Sequence, residues 1–504
     1  MRRRHERCAR VALVVAAIAT LGGCAVGPNY KRPPVITPDA YKEIEGWKVA
    51  EPGDVALRGA WWEMFADPTL SELESRVSVA NQTLVAAAAN YRQATALVRE
   101  ARAGFFPTVT IGAGYTRSQV STTLTSSGSN TNATAGALTG GVSSTTGRPT
   151  NFFQMPIDVT WTPDFWGRVR RTVESNQAAA QASAGDLETA RLSLQAELAQ
   201  DYFQMRTLDA QRKLLDETVA AYEQSLELTR TRFRGGVASQ VDIVQAETQL
   251  ETTRAQAIDI GVARAQFENA IAVITGQAAS TFTLPVAPLT AAPPSVPIGL
   301  PSQLLERRPD VAAAERRMAS ANAQIGVALA AYYPTITLSG SAGFESSSIA
   351  QWFTWPSRFF AVGPAITQTL FDGGLRHAQT DQARAAYDNS VANYRETVLT
   401  AFQGVEDNLA ALRILESEAD VQERAVRAAR RSVTLTTSQY RAGIVSYLNV
   451  ITTQTIALGN EVTAVQILGR RMTSTVLLIQ ALGGGWNQAE LPSAAAVTER
   501  TRER

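Results

Sequence analysis

Two stretches of this chain run for roughly sixty residues each without a helix breaker. Residues 171–232 and 377–441 contain no proline and a single glycine apiece, Gly185 and Gly404. At 1.5 Å of rise per residue, each predicts a continuous helix on the order of 90 Å long. Globular domains rarely hold such elements, their mean helix being about 11–12 residues. The apolar positions are largely alanine with scattered leucine and valine, as in Leu192, Ala196, Ala199 and Phe203. Small side chains of this kind let many helices pack closely side by side. Arg191, Glu197, Asp201 and Arg206 spread charge along the first run and mark a solvated face.

Each run stops at a glycine turn, Arg234-Gly235-Gly236 in one case and Arg441-Ala442-Gly443 in the other. A serine follows, then a second helical stretch with Asp242 or Asn449 near its start. This predicts two helical hairpins per chain. A shorter opening helix is predicted over residues 69–103, entered through Asp67-Pro68 and ended by Gly104 and Pro107.

The chain reads as one motif set written twice. Gly104-Phe105-Phe106-Pro107-Thr108-Val109-Thr110-Ile111 returns as Ala331-Tyr332-Tyr333-Pro334-Thr335-Ile336-Thr337-Leu338. Phe233-Arg234-Gly235-Gly236-Val237-Ala238-Ser239 returns as Tyr440-Arg441-Ala442-Gly443-Ile444-Val445-Ser446. Residues 270–276 return as 477–483 at the same spacing, whereas the first pair is wider apart, so a loop between strands differs in length. The first repeat is assigned to residues 69–276 and the second to 302–484. A Pro- and Ala-rich linker, 277–301, joins them, and its composition predicts extended, non-helical chain. Residues 485–504 are expected to form a flexible tail, and 24–68 an N-terminal extension.

Four segments alternate with period two, at about 107–116, 152–162, 334–345 and 358–371. Val109, Ile111, Ala113 and Tyr115 oppose Thr108, Thr110, Gly112 and Gly114. Phe153, Met155, Ile157, Val159 and Trp161 oppose Gln154, Pro156, Asp158 and Thr160. The third segment sets Ile336, Leu338, Ala342 and Phe344 against Thr335, Thr337, Ser339 and Ser341. The fourth sets Phe360, Val362, Ile366 and Leu370 against Ala361, Gly363, Thr367 and Thr369. Strands of about ten residues, apolar on one face and small or polar on the other, suit a transmembrane barrel. On pattern alone they suit a half-buried soluble sheet as well. Residues 116–150 are almost all Ser, Thr, Gly, Asn and Ala, a composition that buries no core and predicts a solvated loop. The counterpart loop carries Trp352, Phe353 and Trp355, which suit either a lipid interface or a packed loop.

The N-terminus decides between membrane and soluble readings. Arg2, Arg3, Arg4, Arg7 and Arg10 precede an apolar stretch, residues 11–21, of the length of a secretory signal core and too short to span a bilayer. Leu21-Gly22-Gly23-Cys24 resembles the lipobox of bacterial lipoproteins. The resemblance implies cleavage before Cys24 and acylation there, giving a signal peptide over residues 1–23. Several acyl chains would hold firmly where one alone is marginal. Val26, two places on, is not an aspartate, which by the same resemblance favours transport to the outer membrane. Cys8 falls in the leader, so one thiol remains and no disulfide framework is available. The whole chain has 47 Lys+Arg and 46 Asp+Glu, and losing the arginine-rich leader leaves it slightly acidic. That balance argues against a nucleic-acid partner. No later run is long and apolar enough for a membrane helix, so any passage through lipid must use strands.

Four strands alone cannot sit in hydrocarbon, because their edge groups would be unpaired. Closed barrels begin at about eight strands, and those are filled by side chains, so three copies with twelve strands are the smallest assembly that leaves a passage. Sequence alone therefore predicts an α+β membrane protein that must oligomerise.

Three further motifs carry a family resemblance. Cys24-Ala25-Val26-Gly27-Pro28-Asn29-Tyr30 followed by Pro33, Leu304-Leu305-Glu306-Arg307-Arg308-Pro309-Asp310-Val311, and Phe371-Asp372-Gly373-Gly374 resemble the TolC-like outer-membrane efflux proteins, in their NodT-type lipoprotein branch. The resemblance implies a homotrimer with a twelve-stranded barrel in outer-membrane lipid, continued by a long periplasmic α-helical barrel. It implies two partners, a periplasmic adaptor (membrane fusion protein) and an inner-membrane RND-type pump, and no cofactor or metal. It places adaptor contacts at Gly235, Gly236, Val237, Gly443 and Ile444, and a periplasmic gate at Asp242, Tyr440, Arg441, Leu448 and Asn449. Relatives often have acids on the second hairpin, where this chain has Asn449 and Thr452, so Asp242 is the remaining gate acid. A charge favoured by the helix dipole is the simpler reading of Asp242.

The expected function is an efflux exit duct. A protein-secretion channel would use the same fold, and a periplasmic coiled-coil tether would explain the helices but not the strands. An enzyme is not expected, for there is no G-x-S-x-G, no phosphate loop and no Cys/His metal spacing. Six methionines and one histidine beyond the leader, His377, give little basis for a copper or silver substrate.

Overall fold

The computed structural model describes residues 25–35, 38, 41–42, 59–119, 149–294, 296 and 306–498. The leader, Cys24, most of the 116–150 loop, and Leu304 and Leu305 lie outside them. The chain divides into two units. One draws on Met1–Tyr30, Leu97–Ser175 and Asn322–Ala385, the other on Lys31–Ala96, Asn176–Ala321 and Ala386–Arg504.

The first unit is built on an antiparallel sheet of β1 (Thr108–Ile111), β2 (Gly114–Ser118), β3 (Thr150–Trp161), β4 (Thr335–Ser346) and β5 (Arg358–Thr367). Both β1 and β2 pair with β3, which pairs with β4, which pairs with β5. The predicted first strand is thus divided, yet its register is continuous: Ile111 lies opposite Ile157 and Gly114 opposite Gln154. The gap falls opposite Pro156. Gly112 donates its N–H to the Pro156 carbonyl at 3.0 Å, but proline has no N–H to return. So the sheet has four strands in substance. The fourth ends at Thr367 rather than 371.

Residues paired across an antiparallel ladder share a face. Val109 pairs with Val159 and Ile111 with Ile157. Ile157 in turn pairs with Ala342, and Ala342 with Phe360. All four predicted apolar sets therefore lie on one face. The other face presents Thr110, Asp158, Ser341 and Ala361 in one row. The apolar face is exposed in the single chain, with Phe360 and Val362 each 84% accessible. Gly343 is fixed by close approach, since a Cβ there would meet the Met155 carbonyl oxygen at 2.1 Å.

Helices join one end of this sheet only, the hairpin loops the other. The flanking helices are α2 (Gln82–Ala103), α3 (Arg168–Arg234), α5 (Pro309–Ala330) and α6 (Leu375–Arg441). Both exits from the sheet use one device. Asp164 accepts the N–H groups of Val169 and Arg170 at 3.0 and 2.9 Å, and Asp372 accepts those of Gly374 and Arg376 at 3.1 and 3.3 Å. These carboxylates cap helix starts, where donors have no partner within the helix.

In the second unit α3 and α6 continue as long helices, followed by α4 (Gln240–Ile274) and α7 (Tyr447–Ala481). α3 and α6 each have 67 residues, and α4 and α7 each have 35. The duplication therefore holds for these four helices. The predicted opening helix is two, α1 (Pro68–Ala80) and α2, broken at Asn81. Asn81 leaves the helical region, its side chain caps Thr83 and Leu84, and its amide donates to the Ile274 carbonyl at 2.8 Å. Asp67 caps α1 through Thr69 and Leu70 and accepts the Tyr202 hydroxyl at 2.6 Å, next to the Phe65–Phe203 ring contact.

The described residues of the linker form no helix or strand beyond a short 3-10 turn, Ala279–Thr281. Buried Asp209 holds it, accepting from Arg206, Arg264 and the Ala287 N–H at 3.2, 2.7 and 3.0 Å. The tail expected to be flexible is packed as far as residue 498. Trp486 and Val497 are buried, Gln181 donates to the Pro492 carbonyl, and Gln177 to the Thr498 hydroxyl. Val497 supplies an apolar anchor that a composition-based reading of a tail undervalues.

Glu74 on α1 is fully buried, with neither carboxylate oxygen hydrogen-bonded. Burial pushes its carboxyl well above the ordinary range. A raised folded pKa on an acid means stability is lost as pH rises above the unfolded value of about 4.3. Glu74→Gln should therefore raise the melting temperature at pH 7 to 8. The gain should shrink towards zero near pH 4, as read by thermal melts of the two proteins across that range.

Candidate functional site at the helical turns

The two hairpin turns of the second unit close with the same backbone motif. At the first, the Val237 N–H reaches the Arg232 carbonyl at 2.9 Å and the Gly236 N–H reaches that of Phe233 at 2.8 Å. At the second, Ile444 reaches Gln439 and Gly443 reaches Tyr440, both at 2.9 Å. These are Schellman closures, which need a left-handed residue. Gly236 and Gly443 supply it, with φ of 75° and 78°. The glycines predicted as contact points are thus first of all what lets a helix of 67 residues reverse. Val237 and Ile444, one residue on, present bare apolar side chains, 65% and 72% exposed.

Ser239 and Asp242 start α4 with a capping box. The Ser239 hydroxyl accepts the Asp242 N–H at 3.2 Å, and the Asp242 carboxylate accepts the Ser239 N–H at 2.8 Å. The carboxylate expected at the gate is therefore also a helix cap. Asn449 holds the equivalent place on α7, where the Ser446 side chain makes no cap hydrogen bond. Arg441, Leu448 and Asn449 are exposed.

Tyr440 differs from expectation. It is buried, in a core with Tyr222, Leu226, Leu250, Tyr447 and Val450. Its ring centroid lies 5.3 Å from that of Tyr447, and its hydroxyl donates to Thr229. Its counterpart in the first repeat, Phe233, is instead 41% exposed. Tyr440 thus joins the two hairpins of one chain. Burial lifts the Tyr222 and Tyr447 phenols above their usual pKa, so both stay neutral.

Arg232, not predicted, clamps the same junction. Its Nη1 donates to the Arg441 carbonyl at 2.8 Å and its guanidinium lies 4.7 Å from the Tyr440 ring centroid. The Ser225 and Tyr447 hydroxyls meet at 3.1 Å across the same interface. Arg232 sits in an arginine-rich run, Arg230, Arg232 and Arg234, and nothing in its spacing separates it from neighbours paired with Glu247 and Glu227. Beside the first turn a groove is lined by Glu227, Arg230, Phe233, Arg234 and Ile243. Among the described residues no group of acids, histidines or cysteines is placed to hold a metal.

In the first unit, residues 25–29 lie against the start of α3. The Val26 N–H reaches the Trp166 carbonyl at 3.1 Å, and buried Arg171 donates to the Val26 and Gly27 carbonyls and to Asn29 at 3.2, 3.1 and 3.0 Å. Gly27 is left-handed, and a Cβ on it would come within 2.5 Å of Gly326. The chain next to Cys24 is therefore held at the helix end of the sheet. Cys24 itself is outside the described residues.

Comparison with known proteins places this geometry. The profile of the family described as outer membrane efflux protein matches residues 73–277 and 300–484. A probable efflux pump outer membrane protein of Pseudomonas putida, TtgC, is 31% identical over 468 residues, covering 92% of this chain and 93% of its own length. A solvent efflux pump outer membrane protein of the same species, SrpC, is 30% identical over 486 residues, 95% of this chain and 99% of that one. Among solved structures, the outer-membrane channel OprN superposes with a TM-score of 0.82 at 28% identity, covering 92% of this chain and all of OprN. The open state of the Neisseria gonorrhoeae MtrE outer membrane channel gives 0.76 at 25% identity, over 92% of this chain and 99% of that channel. The fold is that of the TolC-like channels, and the chain belongs to the outer membrane efflux protein family.

Proposed function

We propose that this protein is the outer-membrane exit duct of a tripartite efflux system. It passes drugs or other small molecules passively from an inner-membrane pump, through a periplasmic adaptor, to the outside. Its family is one of efflux ducts rather than enzymes. The observation that carries the reading is the sheet. It exposes a whole apolar face, and the outer edges of β1/β2 and of β5 have no partner strand among the described residues. In hydrocarbon such edges must be paired. Three copies joined edge to edge give twelve strands, with Thr110, Asp158 and Ser341 lining a polar bore. A helical tether would not need this sheet.

The turns are where the partners meet. Val237 and Ile444, beside Gly235, Gly236 and Gly443, are the apolar points offered to the adaptor. Asp242, Arg441, Leu448 and Asn449 line the periplasmic entrance, with Tyr440 and Arg232 holding the two hairpins together behind them. Acylation of Cys24 adds an anchor at the helix end of the barrel, next to the segment held by Arg171.

Purified mature protein should run as a trimer in mild detergent and give stepwise ion conductance in planar bilayers. A conductance-free monomer would end this reading. Asp242→Gln keeps a capping box, since glutamine serves at that place as well as an acid. It should leave the trimer's melting temperature within a few degrees and lower the cation-to-anion permeability ratio of the channel. Unchanged selectivity would reduce Asp242 to its cap. Cys24→Ser should abolish labelling by radioactive palmitate in cells, and persistent labelling would place the acyl chain elsewhere.

A further inference from the structure

The apolar face of the sheet carries two charges of one sign, each near the loop end of an edge strand. On β2, Arg117 stands two residues beyond Tyr115 and so on the same face as Tyr115, Ile111 and Val109. On β5, Arg358 pairs with Phe344 and shares the face of Phe360, Val362 and Ile366. Each arginine thus closes an exposed apolar column at its loop end, and the two columns run along the two edge strands. Acids in the strands, Asp158 and Glu345, lie on the opposite face by register. Neither arginine has a carboxylate partner among the described ion pairs.

Aromatic rings connect the two points. Tyr115 lies 4.8 Å from Phe153, Phe153 5.5 Å from Trp352, Trp352 4.8 Å from Phe353, and Phe353 5.7 Å from Phe344, all between ring centroids. Arg358 stacks on Trp355, its Cζ 3.1 Å from the ring centroid, and donates to the Trp355 carbonyl at 2.9 Å. Trp355 is itself 73% exposed. A guanidinium beside lipid-facing rings and without an acid is placed to take an anion from a lipid headgroup.

We propose that Arg117 and Arg358 bind the phosphate groups of an anionic lipid in the outer leaflet. The inference rests on the barrel reading given above. It follows that the hairpin loops mark the outer surface and that β5 of one copy meets the β1/β2 edge of the next. Arg358 and Arg117 of the partner subunit then flank one seam, so a lipid carrying two phosphates bridges two copies. Arginine is suited to this, because its planar fork meets phosphate bidentately and stacks on aromatic faces. The phosphates meet the arginines while the acyl chains cover Phe360, Val362 and Ile111 below them.

The test uses lipid-stripped trimers of the full mature protein in detergent, titrated with a diphosphorylated glucosamine lipid and followed by tryptophan fluorescence and by native mass spectrometry. Arg117→Gln with Arg358→Gln should weaken binding at least about tenfold, since one charge-assisted contact accounts for roughly that factor. The same lipid without phosphates should bind wild type and variant equally weakly. Equal binding of the phosphorylated lipid to both proteins would overturn the proposal. So would equal affinity of wild type for the phosphate-free lipid, or full competition by inorganic phosphate at the lipid's own concentration. Conductance of the same preparations in phosphatidylcholine bilayers is expected to be unchanged. Loss of conductance in wild type would instead sink the duct reading.

Discussion

Unpaired backbone groups at the two edges of a four-stranded sheet are the constraint on which everything else in this protein depends. Water can satisfy them and hydrocarbon cannot, at a cost of several kcal/mol per group. The side-chain pattern follows from the same choice of solvent. The face carrying Val109, Ile157 and Phe360 is left bare, and the face carrying Thr110, Asp158 and Ser341 is small and polar. On the reading proposed above, closure by further copies reconciles the edges with the faces. Within one copy, β3 and β4 approach so closely at residue 343 that only glycine fits there.

Duplication makes the two halves alike in backbone and lets them differ in side chain. The helices repeat in length, and both turns use the same Schellman closure on Gly236 and Gly443. The side chains at those turns have diverged. Phe233 is exposed where Tyr440 is buried, and Asp242 caps its helix where Asn449 stands exposed with no such box. The two hairpins of each chain therefore present two different surfaces.

Much of the fold was legible because its signals are local. Proline and glycine punctuate the long helices at the places where they end, and strict alternation marked the strands to within a few residues. The misses share a cause, which is that the deciding group lies far away in sequence. Asn81 breaks a helix that reads as continuous because its amide finds the Ile274 carbonyl. Pro156 interrupts not its own strand but the neighbouring one, by withholding an N–H from Gly112. Arg232 is one arginine in a run of three, and only the position of Tyr440 and the Arg441 carbonyl singles it out.

By itself the sequence determined that two long hairpins and four alternating strands exist and that they come as a repeat. Propensity, periodicity and breaker residues act within a few positions, so one chain's letters suffice. The tertiary structure decided which strand lies beside which, which face each shares, and which polar side chains are used up as caps and clamps. Those outcomes depend on hydrogen bonds and ring contacts between residues hundreds of positions apart, as between Arg232 and Tyr440, and no local pattern encodes them.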